Sequence, residues 1–368
     1  MSKIFVINPG STSTKVGLFE DGKAVFKVTV EHDAAELKKF AKVAEQLDYR
    51  AATIEAVLAE QGVSLEGCDG FSGRGGGIEP SPGGTYLVTD LLLQHVTRGI
   101  DQHPATLGSQ LAKKFADQYG VNAYIVNSPD TDELSDVARI TGFADMFRTS
   151  NIHMLNQRET AIRAAEDLGT AYEKENFIVA HLGGGISISA HDHGRVVDSN
   201  SNLIGEGPMA PTRSGALPAL QLMDLCYSGK WTRDEMFFRI TKNGGFVDHL
   251  GTADARTVRA RAEDGDQYAA LIWEAFLYQI AKQIGAMAVT LKGDVKAILL
   301  TGGIAHDKGL VESVKESCGF IAPVLPYPGE FELEALAAGV ERVLSGKEEA
   351  KIYTGQRVFR NFDALKKQ

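Results

Sequence analysis

The chain has 368 residues, of which 43% are hydrophobic, so it can bury a large core, and its length favours two or three domains. Its formal net charge of -10 argues against nucleic acid or an anionic membrane as the main partner, but it leaves room for a local basic pocket that binds a small anion. Three widely spaced cysteines, Cys68, Cys226 and Cys318, show neither a disulfide framework nor metal-ligand spacing, which favours a reducing cytoplasmic location.

The first predicted element is a hairpin at residues 4–23, with the sequence IFVINPGSTSTKVGLFEDGK. Short apolar runs on either side of a polar loop, residues 8–15, predict its two strands, and Asp21-Gly22 predicts the turn that follows. The loop is rich in hydroxyl side chains and ends at Lys15. Because the chain enters a strand at once, we expect no secretory leader.

Downstream of this hairpin, strand-like and helical patterns alternate, which predicts an α/β fold. Predicted helices lie at residues 34–60, 105–119, 159–168, 268–291 and 332–344, and predicted strands lie at residues 123–126, 177–180 and 295–300. The longest apolar region, residues 271–291, contains Glu274 and Lys282, so we interpret it as a core helix and not as a membrane span.

A second predicted hairpin, FIVAHLGGGISISAHDHGR at residues 177–195, repeats the pattern of the first. From Asn8 to the turn at Gly22 there are 14 residues, and from His181 to the turn at Gly194 there are 13. Two matching hairpins predict a duplicated domain, and a chance match between two common hairpins is the alternative. Two such loops could hold one ligand from opposite sides.

The loops of both hairpins have the composition of phosphate-binding loops. Small residues let backbone N–H groups approach an anion, hydroxyls add donors, and Lys15 adds a point charge. Neither loop fits the G-x-x-x-x-G-K-[ST] or G-x-G-x-x-G patterns, and an ordinary solvated turn is the alternative for either one alone. A third small-residue segment, Thr301-Gly302-Gly303 at a strand end, adds to the case for phosphate binding.

Seven motifs carry a resemblance to a known family, and they run in order over most of the chain. They are NPGSTSTK (residues 8–15), GRGG (73–76), His153 followed by Asn156, HLGGG (181–185), PTRSG (211–215), GTADAR (251–256) and LTGGI (300–304). On these motifs the chain resembles the short-chain fatty acid kinases, most closely the butyrate kinases, and is similar to the acetate kinases, within the superfamily of sugar kinases, actin and Hsp70.

The resemblance implies an α/β fold of two duplicated actin-like (ribonuclease H-like) domains with a ligand cleft between them. We expect residues 1–150 plus 331–368 to form the N-terminal lobe and residues 151–330 to form the C-terminal, nucleotide-binding lobe. The implied reaction is reversible transfer of a phosphoryl group from ATP to a carboxylate. Since aliphatic carboxylates are already ionised at neutral pH, no general base is needed, and alignment and charge neutralisation remain to be supplied.

Site residues are carried over from the family motifs. Arg74 is expected to hold the carboxylate and Arg213 the transferring phosphoryl group, because a guanidinium offers a planar fork of donors. His153 and His103 are the other candidate catalytic residues, with a structural role as the alternative for each. The expected nucleotide- and phosphate-binding residues are Asn8, Ser11, Ser13, Lys15, His181, Gly183, Gly184, Gly185, Asp254, Ala255, Arg256, Gly302, Gly303 and Ile304.

The family also implies Mg²⁺, held by few protein oxygens and by water. Here the sequence departs from the family pattern, because Asn127 stands where an aspartate is expected. Asn127 itself, Asp132 and Glu332 are the candidate ligands, although Glu332 also suits a helix N-terminus. A second departure is Gly184, where acetate kinases carry an asparagine and butyrate kinases resemble this chain.

The expected function is therefore phosphorylation of butyrate or a related short or branched acid. An acetate or propionate kinase is one alternative, and a non-catalytic ATP-binding module of the Hsp70 or actin type is another. The expected partners are ATP or ADP, Mg²⁺ and the carboxylate or its acyl phosphate, without nucleic acid or membrane. We also expect a cytoplasmic homo-oligomer, a dimer or larger.

Overall fold

The computed structural model describes residues 2–98 and 103–366, and the chain divides into two compact units. Unit 1 comprises Met1–Asp132 and Phe331–Gln368, and unit 2 comprises Glu133–Glu330. Each unit is built around its own β-sheet and its own apolar core.

The boundary between the units differs from the sequence-based expectation, because residues 133–150 group with unit 2 and not with the N-terminal lobe. The physical reason is the half-buried ion-pair network around Arg148. Its guanidinium pairs with Asp198 at 2.9 Å and with Glu206 at 3.2 Å, and both carboxylates belong to unit 2. Nothing in the local sequence of the segment shows these partners, which lie 50 or more residues downstream.

The strands and helices are numbered here in chain order. The strands are β1 (Lys3–Pro9), β2 (Ser13–Glu20), β3 (Lys23–Glu31), β4 (Gly70–Gly73), β5 (Thr85–Leu87), β6 (Asn122–Val126), β7 (Asn176–Leu182), β8 (Ile186–Asp192), β9 (Arg195–Ser199), β10 (Ala297–Gly302) and β11 (Val324–Pro328). The helices are α1 (Ala34–Leu37), α2 (Leu47–Glu60), α3 (Asp90–Arg98), α4 (Thr106–Tyr119), α5 (Asp136–Arg139), α6 (Met154–Asp167), α7 (Ala219–Tyr227), α8 (Arg233–Thr241), α9 (Phe246–Leu250), α10 (Ala255–Glu263), α11 (Gln267–Thr290), α12 (Lys308–Cys318), α13 (Glu332–Leu344) and α14 (Asp363–Lys366).

The two sheets share one topology, which confirms the predicted duplication. Unit 1 has the strand order β3-β2-β1-β4-β6-β5, and unit 2, taken from its opposite edge, has the order β9-β8-β7-β10-β11. In each sheet the first three strands form an antiparallel meander, and two parallel strands then extend it. Strand β5 is an additional antiparallel edge strand in unit 1. The predicted α/β fold of two actin-like domains is confirmed.

The first hairpin is longer than its apolar runs indicate. Strand β1 continues to Pro9 and β2 begins at Ser13, so that Asn8 pairs with Lys15 and only three residues, 10–12, lie outside the two strands. The prediction of an eight-residue loop was therefore wrong. The polar side chains misled it, because backbone pairing in a β-ladder does not require apolar side chains.

Two helices position the site in unit 2. Helix α11 buries Phe276, Ile280 and Ile284 at a spacing of four residues, and it packs against β8. Helix α6 begins at Met154, five residues before the predicted start, and this places Asn156 in its first turn. In the part of the chain that is described, no helix is both long enough and apolar enough to cross a membrane.

Candidate active site

A fully buried arginine of unit 1 holds the loop of the first hairpin. Arg50 lies on α2, and its guanidinium donates to the carbonyl oxygens of Gly10 at 2.9 Å, Ser11 at 3.0 Å and Ser13 at 3.4 Å. It also donates to the Thr14 hydroxyl at 3.2 Å. Burial lowers the pKa of Arg50 from its ordinary value. The loop is thus shaped by a cation whose partners are mainly backbone carbonyls.

Sequence reasoning missed Arg50, although a signal was available. The buried side chains of α2 are Arg50, Ala51, Ile54 and Leu58, which form one stripe at helical spacing. A charged residue inside an apolar stripe is a candidate for a buried, fully hydrogen-bonded role.

A buried histidine lies under the same loop. His32 directly follows β3, and its Nε2 lies 2.7 Å from the Thr14 hydroxyl oxygen, while its backbone N–H donates to the Thr12 carbonyl at 2.9 Å. Burial, together with the neighbouring Arg50 charge, lowers the pKa of His32 to about 4. His32 therefore adds a neutral partner beside the cation and fixes the far side of the loop.

The predicted phosphate ligands of this loop differ in exposure. Lys15 and Ser11 are exposed, Ser13 is half-buried, and Asn8 is buried at the end of β1. Lys15 stands opposite Asn8 in the ladder, so the two side chains belong to one end of the hairpin. The loop therefore presents its donors outward while Arg50 holds its carbonyls from within.

Three predicted residues meet at the start of α13. Glu332 forms an ion pair with Arg74, and its other carboxylate oxygen accepts a hydrogen bond of 2.5 Å from the Asn8 amide. Glu332 is thus the centre of a small polar cluster that joins the ends of β1 and β4 to the first turn of α13. Only one terminal nitrogen of Arg74 is used in the ion pair, which leaves donors of its guanidinium for a ligand.

The backbone that carries Arg74 depends on close packing between two glycines. A Cβ atom on Gly73 would lie 1.9 Å from the carbonyl oxygen of Gly108 on α4, and a Cβ on Gly108 would lie 2.2 Å from the Arg74 carbonyl. The Arg74 N–H also donates to the Ile7 carbonyl at 3.0 Å. Helix α4 and strand β1 together fix the direction in which the Arg74 backbone leaves the sheet. The role of Gly108 in this packing was not predicted from the sequence.

Two of the proposed magnesium ligands lie just after β6. Asn127 is buried at a φ of 42°, and its amide oxygen accepts from the Gly84 N–H at 2.9 Å. Its own N–H donates back to the Gly84 carbonyl at 3.0 Å, so Asn127 anchors the loop before β5. Asp132 is also buried. Among the described residues, no group of three or more His, Cys, Asp or Glu side chains is arranged to hold a metal.

The third candidate histidine, His103, lies immediately before α4 and is exposed. Its Nδ1 accepts from the Ala105 N–H at 3.2 Å, and its carbonyl accepts from the Thr106 hydroxyl at 2.9 Å. His103 thus shapes the entry to α4.

In unit 2 the other two candidate histidines are stacked on each other. The ring centroids of His153 and His181 are 3.8 Å apart and the ring planes differ by 13°. His153 precedes α6 and contacts the Ser187 hydroxyl at 2.9 Å, while His181, on β7, contacts the Asn156 amide oxygen at 2.7 Å. The His153-x-x-Asn156 motif is therefore explained, because His153 stacks on the ring of His181 and Asn156 contacts Nδ1 of the same ring.

Arg213 lies against the glycine-rich loop between β7 and β8. A Cβ atom on Gly185 would lie 1.2 Å from the Arg213 Nη1, so the guanidinium occupies the space that a side chain at Gly185 would need. Within the described part of the chain, Arg213 Nε and Nη1 are buried without a hydrogen-bond partner. Burial lowers the pKa of Arg213. Two buried N–H donors without partners are costly unless an acceptor, such as an anion, binds there.

A cavity of about 900 Å³ lies in unit 2 beside this loop, and its volume suits a nucleotide-sized ligand. Seven of the predicted nucleotide-binding residues line it: Gly183, Gly184, Asp254, Ala255, Arg256, Gly303 and Ile304. Sequence reasoning missed three further lining residues, Trp273 and the ion pair between Arg259 and Asp307. The exposed Arg256 side chain suits phosphate groups, and the Trp273 ring suits a planar base.

The glycines at the end of β10 have different roles. Gly302 has a φ of 86°, and a Cβ there would lie 2.4 Å from the Leu182 carbonyl oxygen, so close packing against β7 requires glycine. Around Gly303 no heavy atom lies within 4 Å of a Cβ position, and Gly303 lines the cavity. Of the two, only Gly303 is open to a ligand.

Sequence comparison relates the chain to proteins of one family. Residues 148–319 match the acetokinase family. A protein named probable butyrate kinase 2, from Caldanaerobacter subterraneus subsp. tengcongensis, is 47% identical over 96% of this chain and 100% of its own length. A probable butyrate kinase from Clostridium botulinum is 44% identical over 95% of this chain and 99% of its own length.

Solved structures show the same fold. Porphyromonas gingivalis acetate kinase matches 94% of this chain and 100% of its own with a TM-score of 0.77, at 22% identity. A propionate kinase from Francisella tularensis matches 91% of this chain and 98% of its own with a TM-score of 0.71, at 19% identity. At these identities the likeness supports the fold, and the chemistry must be argued from the side chains.

Proposed function

The chain belongs to the acetokinase family, and we propose that it transfers a phosphoryl group reversibly from ATP to butyrate or a related short or branched carboxylate. The products in this direction are ADP and an acyl phosphate. The names of its curated relatives, which cover nearly the whole chain at 44–47% identity, support butyrate as the starting hypothesis for the acid.

The buried guanidinium of Arg213 is the observation that carries this proposal. Its Nε and Nη1 are buried and lack protein partners among the described residues, and it lies against Gly185 in the second glycine-rich loop. The neighbouring Gly183 and Gly184 line the cavity of unit 2. A phosphoryl group at the mouth of this cavity would supply the missing acceptors, and its charge would compensate the buried cation.

The chemistry requires little more than alignment and charge neutralisation. The carboxylate nucleophile is already ionised, since such acids titrate near 4 to 5, as Asp and Glu do. We assign Arg74 to the carboxylate and Arg213 to the transferring phosphoryl group, where a planar fork of N–H donors matches three equatorial oxygens. Of the stacked histidine pair, His153 supplies a further donor to the phosphates, and His181 supplies one when it is protonated. We assign phosphate binding to the hairpin loop that Arg50 holds in unit 1, and nucleotide binding to the cavity residues of unit 2.

The oxygen donors of unit 1 are compatible with Mg²⁺, which when bound neutralises charge on the phosphates and orients them. Mg²⁺ needs only one or two protein carboxylates, so the lack of a three-residue cluster in the described residues does not conflict with it. We propose Glu332 and Asp132 as the carboxylates. Asn127 already uses its amide oxygen to accept from Gly84, which favours a supporting role for it.

We expect kcat/KM to change in a graded way, and not abruptly, with the chain length of the acid. Each buried methylene contributes about 0.8 kcal/mol, which corresponds to about fourfold in kcat/KM. Three glycines, Gly75, Gly76 and Gly77, follow Arg74 in the sequence, and the small volume of glycine would leave room for a longer acid. However, a Cβ on Gly75 would lie 2.9 Å from Ser128 Cβ, so this glycine is required by protein packing and does not enlarge a substrate pocket.

The proposal is tested by trapping the acyl phosphate with hydroxylamine and measuring kcat/KM over acids of two to six carbons, including branched ones. A maximum at four or five carbons supports butyrate or a branched relative. A maximum at two or three carbons instead supports the acetate or propionate kinase alternative. If no acid gives a hydroxamate although ATP binds, the chain is a non-catalytic ATP-binding module.

We also propose that the chain is a cytoplasmic homo-oligomer. Helix α7 has no buried residue, although it carries apolar side chains that include Leu220, Met223 and Leu225. An exposed apolar helix of this kind is typical of surfaces that associate. Light scattering coupled to size-exclusion chromatography measures the mass directly, and a monomer at micromolar concentration would contradict the proposal.

A further inference from the structure

A series of hydrogen-bonded, buried side chains leads from the interior of unit 2 to His153. Its central member is Gln157, on α6, whose Nε2 lies 2.9 Å from the Ser187 carbonyl oxygen and 2.7 Å from the Ser187 hydroxyl. Because a carbonyl oxygen only accepts, the atom facing it must be the amide nitrogen, and this fixes the orientation of the Gln157 amide. Its two N–H groups are then both used by Ser187.

The Ser187 hydroxyl is consequently a donor to His153. Its oxygen accepts from Gln157 Nε2, so its own proton needs an acceptor, and Nδ1 of His153 lies 2.9 Å away. The other contact of this oxygen is the His153 backbone N–H at 3.4 Å, which is itself a donor. Nδ1 of neutral His153 therefore accepts, and its proton is carried on Nε2.

The end of this hydrogen-bonded series that is farthest from His153 is fully buried and neutral. The oxygen of the oriented Gln157 amide lies 3.3 Å from Nε2 of His191, which must donate to it, and Nδ1 of His191 then accepts from the Tyr172 hydroxyl at 2.8 Å. Burial, and less strongly the charge of Arg158, lowers the pKa of His191 to about 3, so His191 stays neutral at physiological pH. Tyr172, Gln157 and Ser187 are buried as well.

His181 has the opposite tautomer by the same reasoning. The Asn156 amide nitrogen donates to the carbonyl oxygens of Gly329 at 3.3 Å and Glu330 at 2.7 Å, so its oxygen faces Nδ1 of His181 at 2.7 Å. Neutral His181 thus carries its proton on Nδ1, and Nε2 is the basic atom. The Nε2 atoms of the two stacked rings therefore differ. Nε2 of neutral His153 is a hydrogen-bond donor, whereas Nε2 of neutral His181 is an acceptor.

We infer that Tyr172, His191, Gln157 and Ser187 form a hydrogen-bonded relay that holds His153 in its Nε2–H tautomer, so that a neutral imidazole donates to the phosphoryl group. The inference rests on the proposed function for the role of His153, but not for the tautomer itself. All four are positioning residues that act through His153. A neutral donor keeps its hydrogen bond when the pH rises above the range in which an imidazolium would lose its charge.

Nitrogen NMR of the full chain tests the relay without any assay of activity. The protein is labelled with ¹⁵N at its nine histidines, and long-range ¹H–¹⁵N correlations are recorded at alkaline pH, where exposed imidazoles are neutral. Resonances are assigned with single histidine variants. We expect protonated Nε2 in His153 and His191 and protonated Nδ1 in His181. A protonated Nδ1 in neutral His153 would overturn the inference, even in a protein that forms no acyl phosphate.

Two variants test whether the relay matters for turnover. In Ser187→Ala, kcat is expected to fall about tenfold with a smaller change in KM, and the Nδ1 resonance of His153 should shift, because the loss of one orienting hydrogen bond has an effect of this size. Ser189→Ala is the matched control, since Ser189 is equally buried two residues along β8 and bonds to Ser199 at 2.7 Å. The control is expected to retain kcat within about twofold.

Tyr172→Phe removes the far donor and keeps the ring, so it tests transmission along the relay. We expect the Nδ1 resonance of His191 to shift strongly and that of His153 to shift less, together with a smaller decrease in kcat than in Ser187→Ala. Unchanged His153 resonances and unchanged kcat in both variants would overturn the relay. If Ser187→Ala does not fold, Tyr172→Phe and the tautomers of the unmodified protein still decide the question.

Discussion

Replacing Arg50 with methionine tests whether the first hairpin loop is held from inside. Methionine fills much of the volume of the arginine stem but supplies no donor. The substitution would remove the cation that donates hydrogen bonds to the carbonyl oxygens of Gly10, Ser11 and Ser13 and to the Thr14 hydroxyl. The expected effects are a loss of stability in unit 1 and a weaker site for ATP.

The magnitude follows from the number and burial of these contacts. A hydrogen bond from a charged donor contributes about 1.5–3 kcal/mol, but such contributions are not additive, and the loop carbonyls can turn to water once released. We therefore expect the free energy of unfolding to decrease by about 3–5 kcal/mol. This is a large part of the roughly 5–15 kcal/mol that stabilises a typical domain.

Urea unfolding gives the stability change, and initial rates over a range of ATP concentrations give the kinetic change. KM for ATP is expected to rise at least about tenfold, because a loop that must be ordered on binding costs about 1.4 kcal/mol or more. Arg233→Met is the matched control, since the Arg233 side chain is 87% exposed on α8. It should change the free energy of unfolding by less than about 0.5 kcal/mol. Equal behaviour of the two variants would refute the role given to Arg50.

Three further outcomes are expected. Arg213→Lys should lower kcat by about a hundredfold and change KM for ATP little, because lysine cannot form the bidentate contact made in the transition state; a kcat equal to that of the unmodified enzyme would remove Arg213 from the catalytic residues. Gly185→Ala should displace the Arg213 guanidinium, because its Nη1 would lie 1.2 Å from the added Cβ. It should reduce kcat far more than Gly184→Ala, since no heavy atom lies within 4 Å of a Cβ at Gly184. Equal losses of kcat in the two variants would contradict this steric argument. Burial lowers the pKa of His32 to about 4 and that of His191 to about 3, so the unfolded chain binds more protons as the pH falls below about 6.5. The free energy of unfolding should therefore decrease from pH 6.5 to pH 4, with a limiting slope of about 3 kcal/mol per pH unit, and a profile that is flat in this interval would show that neither histidine is buried neutral.

Much of the fold could be predicted because its signals are local. Among the described residues, the predicted helices include the five longest, α2, α4, α6, α11 and α13, and the repeated hairpin predicted the duplication that the two sheets confirm. Helix α13 begins and ends at the predicted residues. By contrast, the first hairpin loop was predicted too long, because its polar residues pair in the ladder like apolar ones.

The arrangement of the candidate site depended on contacts that sequence spacing does not show. Arg50 is 40 residues from Gly10, and Glu332 is 258 residues from Arg74, so neither pairing has a local signal. The relay behind His153 combines α6 and β8 with Tyr172, which lies between α6 and β7, and its members carry no motif of their own. Asn127 illustrates the opposite case, because a family position suggested a metal while the structure shows a hydrogen bond to Gly84. Its role as a metal ligand stays a prediction.

The central claim is that a carboxylate oxygen attacks the phosphorus of ATP, and isotope-resolved ³¹P NMR tests it directly. The enzyme is supplied with MgATP and butyrate labelled with ¹⁸O in its carboxyl group. We expect ADP to form together with an acyl phosphate whose phosphorus resonance shows the isotope shift of one bridging ¹⁸O, since the carboxylate oxygen becomes the bridge. ATP turnover that yields only unlabelled inorganic phosphate, with butyrate and with every other acid of two to six carbons, would contradict the account.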